Sequence, residues 1–313
     1  MRTTKSNPGK ILKLSASVLL LAGLVPAATA QLYFYEPFDY APGSNIIGQN
    51  GGVGFTSPWA IQTGATAPSA QAFTAVAGSL SAAGLTTSGG SAILTGEFGT
   101  LQAMRSFANV LGSDGTTTWY SWIGQRQGAT GSTIAGNPFA RGVNVGLFDT
   151  EATATQGGTL RPERIGIGNS SNAAADEWSI IPEGSGTLRA GAAGESFATL
   201  YWAVLRIDHH GDATVADDAY LFLNPDPSIE PLIGSALASS IGVRDYSNLD
   251  FIRPFVGNVA SSGAVPFGVL VIDEIRLGGD YASMTATSVP EPTSVALLGL
   301  GGLALFARRQ AKR

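Results

Sequence analysis

The chain has no cysteine among its 313 residues, which excludes disulfides, thiolate-held zinc or iron–sulfur clusters, and thiol catalysis. Charge is also sparse: Asp, Glu, Lys and Arg together make 13% of the sequence, too little for a charge-rich disordered chain. Lysine is confined to the ends, at Lys5, Lys10, Lys13 and Lys312, so no phosphate cradle of the Gly-x-x-x-x-Gly-Lys kind can form in between. No amphipathic stretch of helical period stands out, and no repeat of fixed period marks a solenoid or propeller. What is abundant is glycine, at 41 residues, with 16 prolines and 44% apolar residues. Glycine disfavours helix interiors and supplies turns, so the composition points to a turn-rich β protein.

Both ends are set apart from the middle. Arg2, Lys5, Lys10 and Lys13 precede the apolar run Leu14 to Val25, which is followed by Pro26 and the small-residue tripeptide Ala28-Thr29-Ala30. A basic segment, an apolar core shorter than a membrane span and an A-x-A site form a secretory signal over residues 1–30. Cleavage by signal peptidase after Ala30 makes Gln31 the first mature residue. At the far end, Val289-Pro290-Glu291-Pro292-Thr293 leads into the uncharged run Ser294 to Ala307 and then Arg308, Arg309, Lys312 and Arg313. The basic terminus favours a cytoplasmic C-terminus, with the middle of the chain outside. As a helix, residues 294–307 would extend about 21 Å, short of a hydrocarbon core of about 30 Å, which suits a transient tether better than a permanent anchor.

This order of motif, short apolar helix and basic end resembles the bacterial PEP-CTERM sorting tail, read in that family by the membrane protease exosortase. The resemblance covers residues 287–313, with the motif at 289–293, and implies sorting to the cell surface or extracellular matrix with Val289, Pro290, Glu291 and Pro292 as the recognised segment. Between the ends, residues 31–289 hold 10 Arg and no Lys against 22 Asp plus Glu, a formal charge of −12. Such a surface repels phosphate backbones, so nucleic acid is excluded as an expected partner.

The middle alternates with the period of half-buried strands. Residues 200–208 place Tyr201, Ala203, Leu205 and Ile207 on one face and Leu200, Trp202, Val204 and Arg206 on the other. Residues 269–277 read as Val269, Val271, Asp273, Ile275 and Leu277 against Leu270, Ile272, Glu274 and Arg276. Further strands are expected over 117–126, 143–148, 164–168, 219–223 and 251–257, with Gly, Pro, Asn and Asp between them. The expected fold is all-β, a two-sheet antiparallel sandwich over residues 31–286, with helices confined to the signal and the tail. Three segments carry a further resemblance: Glu36-Pro37-Phe38-Asp39-Tyr40 with Gly48-Gln49-Asn50-Gly51-Gly52, then Leu221-Phe222-Leu223-Asn224-Pro225, then Ile272-Asp273-Glu274-Ile275-Arg276-Leu277-Gly278. They are similar to the opening, a middle strand and the closing strand of surface proteins with a concanavalin A-like, laminin-G-like jelly roll.

Chemistry is harder to find. Laminarinase-type enzymes of that fold use a Glu-x-Asp-x-x-Glu strand, whose spacing turns carboxylates to one face. No such spacing occurs here. Asp176-Glu177 and Asp273-Glu274 are adjacent and would face opposite sides of a strand, and Glu36 and Asp39 are three apart. His209 and His210 are adjacent and diverge, which suits a hairpin loop better than a metal site. Asp208, Asp212, Asp217 and Asp218 make the same loop the one place where Ca²⁺ would find several oxygens, although the spacing is not that of an EF-hand. No catalytic or cofactor-binding residue is identified. The expectation is an exported, non-enzymatic surface or matrix protein that binds extracellular polysaccharide; the alternatives are a glycan hydrolase or lyase with carboxylates from different strands, and a purely structural matrix protein.

Overall fold

A computed structural model of the chain describes residues 31–62, 71–82, 84–127, 142–149, 163–169, 176–182, 189–212, 214–257 and 267–286. The signal segment and the sorting tail, including the helices expected in each, lie outside these residues. Among the described residues no helix is long and apolar enough to cross a membrane, so a transmembrane helix finds no support there.

In chain order the strands are β1 (Leu32–Glu36), β2 (Ala60–Ile61), β3 (Phe73–Val76), β4 (Ser91–Thr95), β5 (Leu101–Leu111), β6 (Thr117–Gln127), β7 (Val143–Asp149) and β8 (Glu163–Asn169). They continue with β9 (Ser179–Pro182), β10 (Ala190–Gly191), β11 (Tyr201–Asp208), β12 (Asp217–Leu223), β13 (Ala238–Arg244), β14 (Leu249–Val256) and β15 (Val269–Gly278). One sheet runs β13-β12-β11-β6-β15-β4-β3 with β1 also paired to β15, and the other runs β10-β9-β8-β7-β14-β5-β2. All pairings are antiparallel. The described helical segments are three short 3₁₀ turns, the last at Tyr281–Met284. The all-β, two-sheet expectation therefore holds.

The core follows from the alternation. Ala203, Leu205 and Ile207 of β11 face inward with Tyr120 and Trp122 of β6 and meet Val143, Val145, Leu147, Ile165 and Ile167 of the other sheet. Odd and even positions of β11 separate as the sequence implies: Trp202 and Val204 turn outward into a second apolar cluster with Trp119, Ile123 and Phe222, roofed by Ala82, Leu85, Tyr281 and Met284. The Trp119 and Tyr281 rings meet edge to face at 5.1 Å. The 31–286 stretch thus has apolar packing on both faces of its larger sheet.

β15 departs from the expected alternation. Leu270, Ile272, Ile275 and Leu277 are its inward residues, not Val271 with Ile275. The register against β6 slips between Asp273 and Arg276, and Glu274 takes φ of 55°. One extra residue at this bulge reverses the side-chain parity beyond it. At the other end of the chain, Gly54 at φ of 82° lies so close to β1 that a Cβ would collide with the Tyr33 carbonyl. Only glycine fits that crossing.

Candidate functional site

The outer face of the seven-stranded sheet is assembled by register. Opposite Gly146 of β7 stands Arg253 of β14, and opposite Asn144 stands Phe255. Phe255 in turn faces Gln102 of β5. These outward positions alternate with the inward Ile252 and Val256, so strand geometry gathers Asn144, Phe148, Phe251, Arg253, Phe255 and Gln102 on one surface. The Arg253 guanidinium lies 4.2 Å from the centre of the Phe148 ring and 5.4 Å from that of Phe255, and its Nη1 donates to Gln62 Oε1 at 3.1 Å. Phe251, Arg253, Phe255 and Gln102 are half-buried, whereas Asn144 and Phe148 are buried. Gly146, Gly166 and Gly168 on the neighbouring strands carry no side chain beside them and are buried. Among the outward positions of β5, β7, β8, β9 and β14 whose side chains are described, none facing this surface within 102–106, 144–148, 165–168, 179–181 and 251–255 is Asp or Glu. Among the described side chains the face presents planar donors and aromatic rings.

Carboxylates do converge elsewhere, against expectation. The bulge at Glu274 brings the adjacent Asp273 and Glu274 to the same side, where Ser79 Oγ lies 2.5 Å from Asp273 Oδ2 and 3.5 Å from Glu274 Oε1. Leu80 N–H also donates to Asp273, and Arg276 Nη2 donates to Glu274 Oε2 at 2.5 Å. Burial, aided by the charge of Glu274, pushes the Asp273 carboxyl up to about 8. A carboxylate pair with one raised member has the chemistry of an acid and a base. Both side chains are nevertheless completely buried, as is Arg276, which also donates through Nε to the Ala286 carbonyl at 3.0 Å and through Nη2 to the Thr86 carbonyl at 3.2 Å. Asp273 is therefore held by Ser79 and Leu80, and Arg276 holds Glu274.

Glu36, in the opening motif, is also internal. Its Oε2 accepts from Arg105 Nη1 at 2.6 Å, from Tyr40 OH at 2.8 Å and from Trp59 Nε1 at 3.0 Å, while Oε1 accepts from Phe38 N–H at 3.0 Å. Burial still pushes its carboxyl up, the Arg105 charge and these donors pulling the other way. Arg105 was absent from the sequence reading because it lies 69 residues from its partner.

His209 stands in the β11–β12 hairpin connection, as expected, but is turned inward. It is buried, with Nδ1 2.9 Å from Asp217 Oδ2 and Nε2 2.9 Å from Thr118 Oγ1. The signal lay in strand parity: Ile207 faces inward, and two residues on His209 keeps that direction. Burial opposes ionisation of Asp217, but His209 and the Tyr246 and His210 amides outweigh it and hold the carboxyl below the usual range. The chain Asp217–His209–Thr118 has the connectivity of a nucleophile with its base and orienting acid, yet Thr118 is sealed in the interior, so the arrangement joins β6, β11 and β12. The other acidic residues of that loop disperse: Asp208 pairs with Arg206 at 2.7 Å, Asp212 caps Thr214, and Asp218 accepts from Gly242 N–H. Among the described residues no group of three or more His, Asp or Glu is placed to hold a metal ion. Trp122 and Trp202 are both buried.

A second concavity of about 410 Å³ is lined by Phe222, Leu223, Pro225, Ile229, Leu232 and Leu237 among others. Its two acids are occupied, Asp226 with Ser228 and Glu230 with Arg206, which leaves an apolar surface without an orienting polar group.

Of the residues singled out for processing, Gln31 is described: its backbone N–H donates to Asp280 Oδ2 at 3.1 Å. Ala28, Ala30, Val289, Pro290, Glu291 and Pro292 lie outside the described residues.

The described chain is thus an all-β sandwich with sealed acidic networks and one aromatic, arginine-bearing outer face. Residues 288–313 match the family described as the PEP-CTERM protein-sorting motif, so the chain carries that motif at its C-terminus. The motif supports an exported surface protein sorted by exosortase. No curated protein matches the chain. Among solved structures it is similar to an endo-1,3-β-glucanase from Streptomyces sioyaensis, with 10% identity over 80% of this chain and 97% of that one and a TM-score of 0.47. An endo-β-1,4-glucuronan lyase from the fungus Trichoderma reesei matches with 12% identity over 68% of this chain and 89% of that one, TM-score 0.42. An alginate lyase matches with 12% identity over 80% and 98%, TM-score 0.41.

Proposed function

We propose that this is a non-enzymatic surface or matrix protein whose sandwich, residues 31–286, is exported by the signal over 1–30, sorted through 287–313, and binds extracellular polysaccharide on the outer face of the seven-stranded sheet. The observation that carries the reading is Arg253, held by Gln62 and flanked by Phe148 and Phe255 on a surface free of described carboxylates. A guanidinium fixed in plane donates in parallel to neighbouring oxygens, and half-exposed Phe251 and Phe255 give apolar faces for a sugar ring. The non-sequential neighbours β1–β15, β6–β15 and β5–β14 support a jelly roll of the concanavalin A-like kind. Exosortase acts on the Val289 to Pro292 segment; Pro290 and Pro292 keep it extended for recognition, and the short apolar run serves as a transient membrane tether.

Affinity electrophoresis through gels containing neutral or uronate polysaccharides tests the binding face. Retardation of the wild type that falls at least about tenfold in affinity in Arg253→Ala and Phe255→Ala is expected, the loss of one or two anchoring contacts. Equal retardation of all three proteins overturns the reading. A second reading, hydrolysis, draws on the converged Asp273 and Glu274; their complete burial means the pair would have to open to solvent, and a reducing-sugar assay on the same polysaccharides detects it.

A further inference from the structure

The beginning of β1 and the 3₁₀ turn at Tyr281–Met284 meet at one corner. Gln31 O accepts from Gly279 N–H at 2.9 Å, and Gln31 N donates to Asp280 Oδ2 at 3.1 Å. The other Asp280 oxygen, Oδ1, caps the turn by accepting from Ser283 N–H at 2.9 Å and from the Ser283 hydroxyl. The turn is anchored in turn by Tyr281, whose hydroxyl donates to the Asp226 carbonyl at 2.7 Å. The Gln31 side chain and the Tyr33 hydroxyl lie against Gly279, leaving no space for a Cβ there.

We propose that Asp280 is the receptor for the ammonium group freed when the signal is removed after Ala30, and that this new ion pair fastens the mature N-terminus to the root of the sorting tail. The proposal rests on the reading of Gln31 as the first mature residue. Before cleavage the nitrogen of Gln31 is a neutral amide with one proton to give; afterwards it is a cation with three, already at hydrogen-bond distance from an acceptor-only carboxylate. Asp280 and the Tyr33 phenol are the titratable groups at this corner, and the Tyr33 phenol is itself pushed up by burial and by the charge of Asp280. Gln31 therefore touches Gly279 and Asp280, six to seven residues before Ala286. Cleavage before Gln31 then ties down the segment that leads into the tail.

The sequence provides a clean probe. Residues 31–311 contain no lysine, so the α-amine of Gln31 is the sole primary amine of the exported sandwich, and an amine-reactive ester followed by intact mass reports on it alone. Only the neutral amine attacks the ester carbonyl, expelling its leaving group, and an ion pair lowers the neutral fraction. Near pH 7.5 the secreted wild type is expected to react about two- to eightfold more slowly than Asp280→Asn, the change in neutral fraction given by a rise of about half to one unit in an α-amino pKa near 8. Asparagine still caps the turn, so that variant keeps its fold; Ser283→Ala, which removes the hydroxyl contact alone, is expected to react as the wild type does. Equal rates for wild type and Asp280→Asn on chains that begin at Gln31 overturn the proposal while leaving the cleavage site intact. A mass that starts at another residue overturns both. Complete loss of the amine from the wild type by cyclisation of Gln31, with release of ammonia, also overturns it, because the pair requires the free ammonium.

Discussion

Replacing Arg105 with Met isolates the buried carboxylate of Glu36, and the cost can be worked from its neighbours. Methionine restores much of the apolar stem under the Phe55 ring, over which the guanidinium carbon sits at 3.8 Å, so little packing is lost. The charge is lost outright: the contact to Glu36 at 2.6 Å disappears in a completely buried setting. The Ser57 carbonyl and the Asn50 side-chain oxygen, which accept from Arg105 at 2.7 and 2.9 Å, lose their donors as well. Breaking a buried pair on one side costs about 3–5 kcal/mol, a large part of the roughly 5–15 kcal/mol that holds an ordinary domain folded. Urea unfolding at pH 7.5, followed by tryptophan fluorescence, is expected to show this loss. The double change Glu36→Leu with Arg105→Met removes the orphaned charge and is expected to regain part of it, measured as non-additivity of the cycle. The deficit of the single variant is largest above the raised pKa of the orphaned Glu36 and shrinks as pH falls from there toward the unfolded Glu pKa of about 4.3, because the folded state takes up the proton before the unfolded one does. A loss under about 1 kcal/mol, or one that is the same at pH 4 and pH 7.5, refutes the reasoning, since both require an uncompensated buried anion.

Asp273, with its carboxyl pushed up to about 8, retains a proton in the folded state that the unfolded chain releases near pH 4, so stability is expected to fall as pH rises from 4 toward 8, by up to about 1.4 kcal/mol per unit. Urea midpoints at pH 5 and 8 should show this slope in the wild type and a flatter one in Asp273→Asn. Gly54→Ala forces a Cβ into the Tyr33 carbonyl at positive φ and is expected to cost more than about 2 kcal/mol, read as a lowered Tm; an unchanged Tm would contradict the close crossing. Thr118→Val removes the hydroxyl partner of His209 and should cost about 1–2 kcal/mol, whereas His209→Ala, which also strips a side-chain donor from buried Asp217, should cost more; the reverse order in chemical unfolding would show that the histidine is not the central member.

The sequence by itself determined the fold class, because side-chain alternation is a local property that needs no partner to be read. Residues 200–208 show it: the inward Ala203, Leu205 and Ile207 and the outward Trp202 and Val204 stand as their parity implies. The sorting motif was legible for the same reason, being a contiguous run that carries its own chemistry. Parity fails where the backbone gains a residue, and the bulge at Glu274 is the instance: adjacent carboxylates expected on opposite faces were turned together around Ser79. Only the tertiary structure could decide the remaining pairings. Arg105 with Glu36, Gln62 with Arg253 and Gln31 with Asp280 join residues 69, 191 and 249 positions apart, brought into contact by strand order alone. Side-chain alternation states which way a residue faces, but which residue it faces is set by the stacking of two sheets, a long-range outcome of burying their apolar faces together.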